Sequence, residues 1–195
     1  MEKIGLFGGT FNPIHAGHLI IAEIIRDHLG LSKVVFIPSA RPPHKASENV
    51  ISFHHRKTMV DLAIEQNEYF QCSDIEEKLS GLSYTVHTLE FLRKENPKNE
   101  YFLMIGSDSL LDLPNWKTPE RLTELAKIVV YPRMGFDFDK GELRFTKEAI
   151  CIDKPVIEIA SSWVRERLLR NQSVRYIVPN AVLSYIKKNN LYTKE

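Results

Sequence analysis

Gly8-Gly9-Thr10-Phe11-Asn12-Pro13-Ile14-His15-Ala16-Gly17-His18-Leu19 stands directly behind a short apolar run, Ile4-Gly5-Leu6-Phe7. The run reads as a buried strand, the glycines as a turn, and Leu19-Ile20-Ile21-Ala22-Glu23-Ile24-Ile25 as a helical pattern. A strand that ends in a glycine turn and opens a helix gathers backbone N–H groups at one point, and the helix dipole favours negative charge there. His15 and His18 lie one helical turn apart, so both imidazoles face one spot as proton-bearing donors, and Gly17 permits close approach of a ligand. A competing, blander reading has the histidines capping or packing the helix. They are not a zinc set, since no third ligand of suitable type lies nearby and the flanking glycines suit an anion better. Phosphate chemistry is the first expectation.

Outward from this stretch, short β-rich runs alternate with helical patterns. Strands are predicted at Lys3–Phe7, Lys33–Pro38, Phe70–Ser73, Tyr101–Ile105, Lys127–Tyr131 and Val156–Ile159. Helices are predicted at Gly17–Leu29, Ser52–Asn67, Tyr84–Glu95, Glu120–Ala126, Ser162–Arg170 and Asn180–Asn189. That alternation predicts an α/β, Rossmann-like, doubly wound and mostly parallel sheet with helices on both faces and a small C-terminal helical portion. Ligands of such sheets lie beyond the strand C-termini where strand order reverses, which is where the glycine turn falls. Thr118-Pro119-Glu120 reads as an N-cap with proline at the first helical position, Pro179 as the same device, and Gly30 as a C-cap. Ser39–Asn49 and Gly135–Arg144 read as loops.

Composition sets the frame. The 195 residues suit one well-buried α/β domain, residues 1–195, and are few for two. With 43% hydrophobic and 26% charged residues, neither a disordered nor a fibrous class fits. A net charge of +1 gives no global reason to expect nucleic acid or an anionic membrane as a partner. Cys72 and Cys151 have no metal spacing around them and read as buried small hydrophobes. The start Met-Glu-Lys-Ile lacks a signal peptide and no apolar run approaches a membrane span, so a soluble cytoplasmic protein is expected.

Gly-Thr-Phe-x-Pro-x-His-x-Gly-His, at Gly9–His18, resembles the signature of the nucleotidyltransferases related to class I tRNA synthetases. Those enzymes transfer a nucleotidyl group from a nucleoside triphosphate and release pyrophosphate. The resemblance implies that His15 and His18 stabilise the α-phosphate, with Gly8, Gly9, Thr10 and Phe11 around the nucleotide. Asn12 stands where many members carry Asp, another short polar turn residue. Near the other end, Ile159-Ala160-Ser161-Ser162-Trp163-Val164-Arg165 places serines ahead of a helix with a cation, again a phosphate site. It is similar to the family's second signature, I-S-S-T-x-I-R, which assigns Ser162 and Arg165 to the β- and γ-phosphates. Ala160 replaces a serine common there.

The middle motifs bear on the acceptor. Pro42-Pro43-His44-Lys45 is a stiff loop presenting two potentially cationic side chains, or simply a solvated loop. Ser83-Tyr84-Thr85 opens a helix whose N–H groups suit a carboxylate over a neutral amide, or are only a cap. Ile105-Gly106-Ser107-Asp108 ends a strand, where an acid accepts ribose hydroxyls. Trp116 is either a core residue or a platform for an aromatic ring. In this order the stretches resemble one branch of the family, the bacterial nicotinate-nucleotide adenylyltransferases, along nearly the whole chain to Leu191-Tyr192. Leu79 and His87 depart from it, standing where arginine and aspartate are frequent.

The resemblance implies that ATP and nicotinate mononucleotide react to nicotinate adenine dinucleotide and pyrophosphate. The ATP set is then Gly8, Gly9, Thr10, Phe11, His18, Gly106, Asp108, Ser162 and Arg165, with His15, His18 and Arg165 catalytic. His44, Lys45, Tyr84, Thr85 and Trp116 would hold the acceptor. Mg²⁺ is expected on the triphosphate, mostly water-ligated, with no protein metal site. Oligomeric state, homo-oligomers included, stays open. Phosphopantetheine, nicotinamide mononucleotide and cytidylyl acceptors are the alternatives within the class, and a nucleotide sensor without turnover is the alternative outside it.

Overall fold

The structure, a computed structural model, describes residues 1–42 and 50–193. Its first half runs β1 (Lys3–Gly9), α1 (Ala16–Leu29), β2 (Lys33–Pro38), α2 (Phe53–Ile64), β3 (Phe70–Cys72), α3 (Ile75–Lys78) and α4 (Thr85–Glu95). The second half runs β4 (Glu100–Gly106), α5 (Ser107–Asp112), α6 (Pro119–Leu125), β5 (Lys127–Tyr131), α7 (Leu143–Thr146), β6 (Ile150–Cys151), α8 (Ser161–Leu169) and α9 (Asn180–Lys188). The strands form one sheet in the order β3-β2-β1-β4-β5-β6, and every pairing is parallel.

Strand order reverses between β1 and β4, and the register shows how a crevice opens there. Pairing of β1 with β4 stops at Leu6↔Leu103, while β1 stays on β2 as far as Gly9↔Pro38 and β4 stays on β5 as far as Gly106↔Tyr131. The two central strands therefore part just before the glycine turn, leaving a gap at their C-terminal ends.

Both faces of the sheet are covered, as parallel strands require. Phe7, Val34, Phe36, Phe102, Met104, Val129 and Tyr131 pack on one side with Ile21, Ile25, Met59, Val164 and Val182. Ile4, Leu6, Ile37, Tyr101, Leu103, Ile105, Ile128 and Val130 pack on the other with Val86, Leu89, Leu110 and Leu122. Gly30 closes α1 in the left-handed conformation (φ 58°), its N–H donating to carbonyls of the last turn. No helix among the described residues is long and apolar enough to cross a membrane.

Several expectations change. The sixth strand is Ile150–Cys151, and residues 156–159 form no ladder. Ile157 and Ile159 lean on the core while Val156 and Glu158 face out, so the alternation that suggested a strand is real, but β6 already occupies the edge of β5. Cys151 is exposed on that edge and Cys72 is half-buried, so neither is a fully buried small hydrophobe. Thr118 is the N-cap of α6 with Pro119 its first helical residue, as expected, but it sits in a left-handed conformation (φ 46°) and makes no side-chain cap, and Pro179 is the N-cap of α9 rather than its first helical residue. The loop expected at Gly135–Arg144 contains a 3-10 turn at Phe138–Lys140 and the start of α7.

Candidate active site

A cleft of about 1120 Å³ lies over the crevice, lined by Gly8–Asn12, His15, His18, Asp108, Arg133, the segment Ile157–Trp163 and Arg165. The segment between β1 and α1 forms its floor. Ser39 N–H holds the Gly9 carbonyl (2.8 Å), and Arg56 Nη1 donates to the Thr10 carbonyl (2.8 Å). From α8, Arg165 Nη1 donates to the Asn12 carbonyl (2.8 Å) and Ser161 Oγ to the Pro13 carbonyl (2.9 Å). The two phosphate motifs are thus hydrogen-bonded to each other, 153 residues apart along the chain.

The two histidines cap the helix and line the cleft at once. His15 is the N-cap residue of α1, and its backbone N–H donates to His18 Nδ1 (3.2 Å). Accepting there places the proton of neutral His18 on Nε2. The rings stack 3.7 Å apart at 24°. Gly17 makes room for this, because a Cβ there would sit 3.1 Å from both His15 Nδ1 and Ile157 Cγ2. The close approach the structure shows at Gly17 is to His15 and Ile157. Phe11, expected at the nucleotide, has a buried side chain at φ 47° and meets His18 edge-on at 5.1 Å, so its ring orients the imidazole.

Burial, with help from the nearby Arg133 charge, lowers the pKa of His15 from its ordinary 6.5 to about 3. His15 is therefore a neutral imidazole that offers one N–H rather than a charge. Between about pH 6.5 and 3 the unfolded chain binds a proton at this position that the folded chain excludes. Its contribution to stability is complete above that window and is lost as pH falls through it, at up to about 1.4 kcal/mol per pH unit. Thermal melts at pH 7 and 4.5 should show the natural chain losing more Tm on acidification than His15→Gln; parallel losses would refute the neutral, buried assignment.

Ser161 and Ser162 are the first two residues of α8, whose N-cap is Ala160, so the helix N-terminus itself faces the cleft. Ser161 is engaged by Pro13, leaving the exposed Ser162 and the remaining guanidinium N–H groups of Arg165 toward the cavity. Asp108 sits in the first turn of α5, and its Oδ1 occupies the space a Cβ at Gly106 would take, so a side chain at 106 would make the carboxylate swing away.

A second cleft of about 430 Å³ shares Gly8, Gly9, Thr10, Asp108 and Ser109 with the first and continues to Tyr84, Thr85, Trp116 and Lys117. Tyr84 is the N-cap of α4 and Thr85 its first residue. Trp116 is half-buried, packs on the core and lines the cleft, so it serves as core residue and exposed ring face together. Lys117 Nζ sits 4.5 Å over the Tyr84 ring. The buried Glu76 faces the same cleft, accepts from Ala40 N–H and Thr88 Oγ1 (3.3 Å each), and is pushed above its ordinary pKa by burial. Leu79 packs with the core beneath, and the His87 ring meets Tyr84 edge-on at 5.6 Å. His44 and Lys45 lie outside the described residues.

Arg133, Lys117, Glu76 and Ile157–Ile159 were not expected at the site. Arg133 follows β5, and its Nε is buried 4.0 Å from Asp108 Oδ1. Its position just past a strand C-terminus was the available signal.

The family model described as cytidylyltransferase-like matches residues 6–167. Among curated relatives, proteins of Dehalococcoides mccartyi strain BAV1 (42% identical, 99% of this chain, 98% of that protein) and Salinibacter ruber (39% identical, 97% of each) are both named "Probable nicotinate-nucleotide adenylyltransferase". Among solved structures, Plasmodium falciparum nicotinic acid mononucleotide adenylyltransferase complexed with NaAD superposes with a TM-score of 0.83 over 98% of each chain. At 21% identity that likeness speaks to the fold.

Proposed function

This chain belongs to the cytidylyltransferase-like family and, within it, to the nicotinate-nucleotide adenylyltransferases, and from that premise we propose how its two clefts perform the reaction. The larger cleft takes ATP and the smaller takes nicotinate mononucleotide. The products are nicotinate adenine dinucleotide and pyrophosphate, a step of NAD biosynthesis. The observation that supports the assignment is the shared edge at Gly8–Thr10 and Asp108, where an α-phosphate bound in the larger cleft would meet the mouth of the smaller one.

The acceptor's phosphate oxygen attacks the α-phosphorus in line and pyrophosphate leaves, without a covalent enzyme intermediate. Two anions must meet, so the protein contributes position and neutralisation. His18 Nε2–H and the neutral His15 donate to the α-phosphate and the bridging oxygen, where charge develops. Ser162, Arg165 and the N-terminus of α8 hold the leaving pyrophosphate. Asp108 accepts from ribose hydroxyls, and Gly106 allows it to lie there. The cleft supplies N–H and O–H donors suited to phosphate oxygens. Mg²⁺, arriving with ATP, would be held by those phosphate oxygens and water, where it neutralises β- and γ-charge.

In the smaller cleft the first N–H groups of α4 have no partner within their helix and face the nicotinate carboxylate, with Thr85 beside them. Trp116 stacks on the pyridine ring, and Lys117 adds a cation among the acids Glu76, Asp108 and Asp112. His44 and Lys45 remain the proposed holders of the acceptor phosphate. The test is pyrophosphate release with ATP and, separately, nicotinate mononucleotide, nicotinamide mononucleotide and phosphopantetheine. Turnover should be fastest with the nicotinate substrate, and a preference for any of the others overturns the reading. Trp116→Ala should raise KM for the mononucleotide about tenfold, as expected for a lost stacking face, and leave KM for ATP nearly unchanged. Equal effects on both substrates would make Trp116 structural only.

A further inference from the structure

The floor of the ATP cleft is also tethered from the far end of the chain, outside both signature motifs. Tyr192 lies beyond α9, and its hydroxyl donates to Asn12 Oδ1 at 2.7 Å, across 180 residues of sequence. The chain turns to reach that point through Asn190 (φ 49°) and Tyr192 (φ 61°), two non-glycine residues in the left-handed region. Strained conformations of this kind persist where surrounding contacts hold them. The Tyr192 ring packs against the core that carries α2 and α9, and burial pushes its phenol up, so the hydroxyl is a proton donor throughout the accessible pH range. Its acceptor belongs to the residue whose carbonyl seats Arg165. Arg56, 1% exposed on α2, holds the neighbouring Thr10 carbonyl from the same side.

We propose that Tyr192 is a positioning residue of the nucleotide cleft: its hydroxyl fixes the Asn12 side chain and, through Asn12, the carbonyl that orients Arg165 toward the phosphates. Neither Tyr192 nor Arg56 lines the cleft, so both act through the loop rather than on the ligand. The assignment rests on the reading that the larger cleft takes ATP.

Tyr192→Phe removes the hydroxyl and keeps the packed ring. ATP affinity, read by calorimetry without acceptor, should weaken about tenfold, the size expected for one buried hydrogen bond, with KM for the acceptor within about twofold and Tm within a few degrees. A double-mutant cycle identifies the route. Adding Tyr192→Phe to Asn12→Ala should cost less than about twofold, because the acceptor is already gone. Adding it to Asn12→Asp, whose carboxylate still accepts from the phenol, should again cost about tenfold. Unchanged ATP affinity in Tyr192→Phe, equal losses on both substrates, or an undiminished loss in the Asn12→Ala background would each overturn the assignment. Were the natural chain itself to bind no ATP, the reading of the cleft would fail first; normal binding there with unaltered binding in Tyr192→Phe sinks this inference alone.

Discussion

His18→Ala should lower kcat by a factor on the order of 10² to 10³, the range seen when a donor to a developing oxyanion is removed, while KM for ATP moves by less than about threefold. The structure gives reasons for that split. His18 is held on three sides: His15 stacks on one face, Phe7 and Phe11 meet it edge-on at 5.9 and 5.1 Å, and the His15 backbone N–H occupies Nδ1. Such a ring loses little freedom on meeting substrate, so its Nε2–H is preorganised for the position that charge reaches in the transition state. Binding of ground-state ATP draws instead on the backbone of the glycine turn, the N-terminus of α8 and Arg165, which the substitution leaves in place. Steady-state kinetics at saturating acceptor make the measurement. Near-normal turnover, or a loss confined to KM, would remove His18 from the chemical step.

The parts of this molecule that repeat a local rule were legible in its sequence. Alternating short apolar runs and helical patterns foretold the parallel sheet, and β2 and β5 fall on their expected residues. The glycine turn foretold the crevice, because a strand that hands over to a helix at the reversal of strand order has only that place to put its ligand. Motif spacing placed His15, His18, Ser162 and Arg165 on one cleft and Tyr84, Thr85 and Trp116 on the next.

What was not legible depends on contacts distant in the chain. Residues 156–159 have the period of a strand, and nothing local reveals that a two-residue strand at 150–151 has taken the edge. The four-residue α3 and α7 are too short for a 3.6-residue period to register. Arg133 carries no motif and becomes part of the site only because β5 ends beside β4. Phe11 belongs to the signature yet turns its ring inward, since a left-handed backbone at that position points the side chain at the core and at His18. A short motif identifies the residues of a site; whether each acts on the ligand or on its neighbour is set by packing.

Arg165 illustrates the difference and gives the second large effect. One guanidinium nitrogen is committed to the Asn12 carbonyl at 2.8 Å, and the remaining N–H groups are those that can grip the leaving pyrophosphate. Arg165→Ala removes both functions, so kcat/KM for ATP should fall by about two to three orders of magnitude, as for loss of a charged group that also leaves a partner unpaired. Arg165→Lys restores the charge but not the fork that serves a carbonyl and a phosphate together, so it should recover only part of the loss, remaining about tenfold below the natural chain. The reverse reaction separates the two functions. If Arg165 grips pyrophosphate, both variants raise KM for pyrophosphate far more than KM for the dinucleotide. If it serves only to seat the Asn12 loop, the two constants rise together, because the loop lies beneath the larger cleft, which pyrophosphate and the adenylyl half of the dinucleotide fill between them.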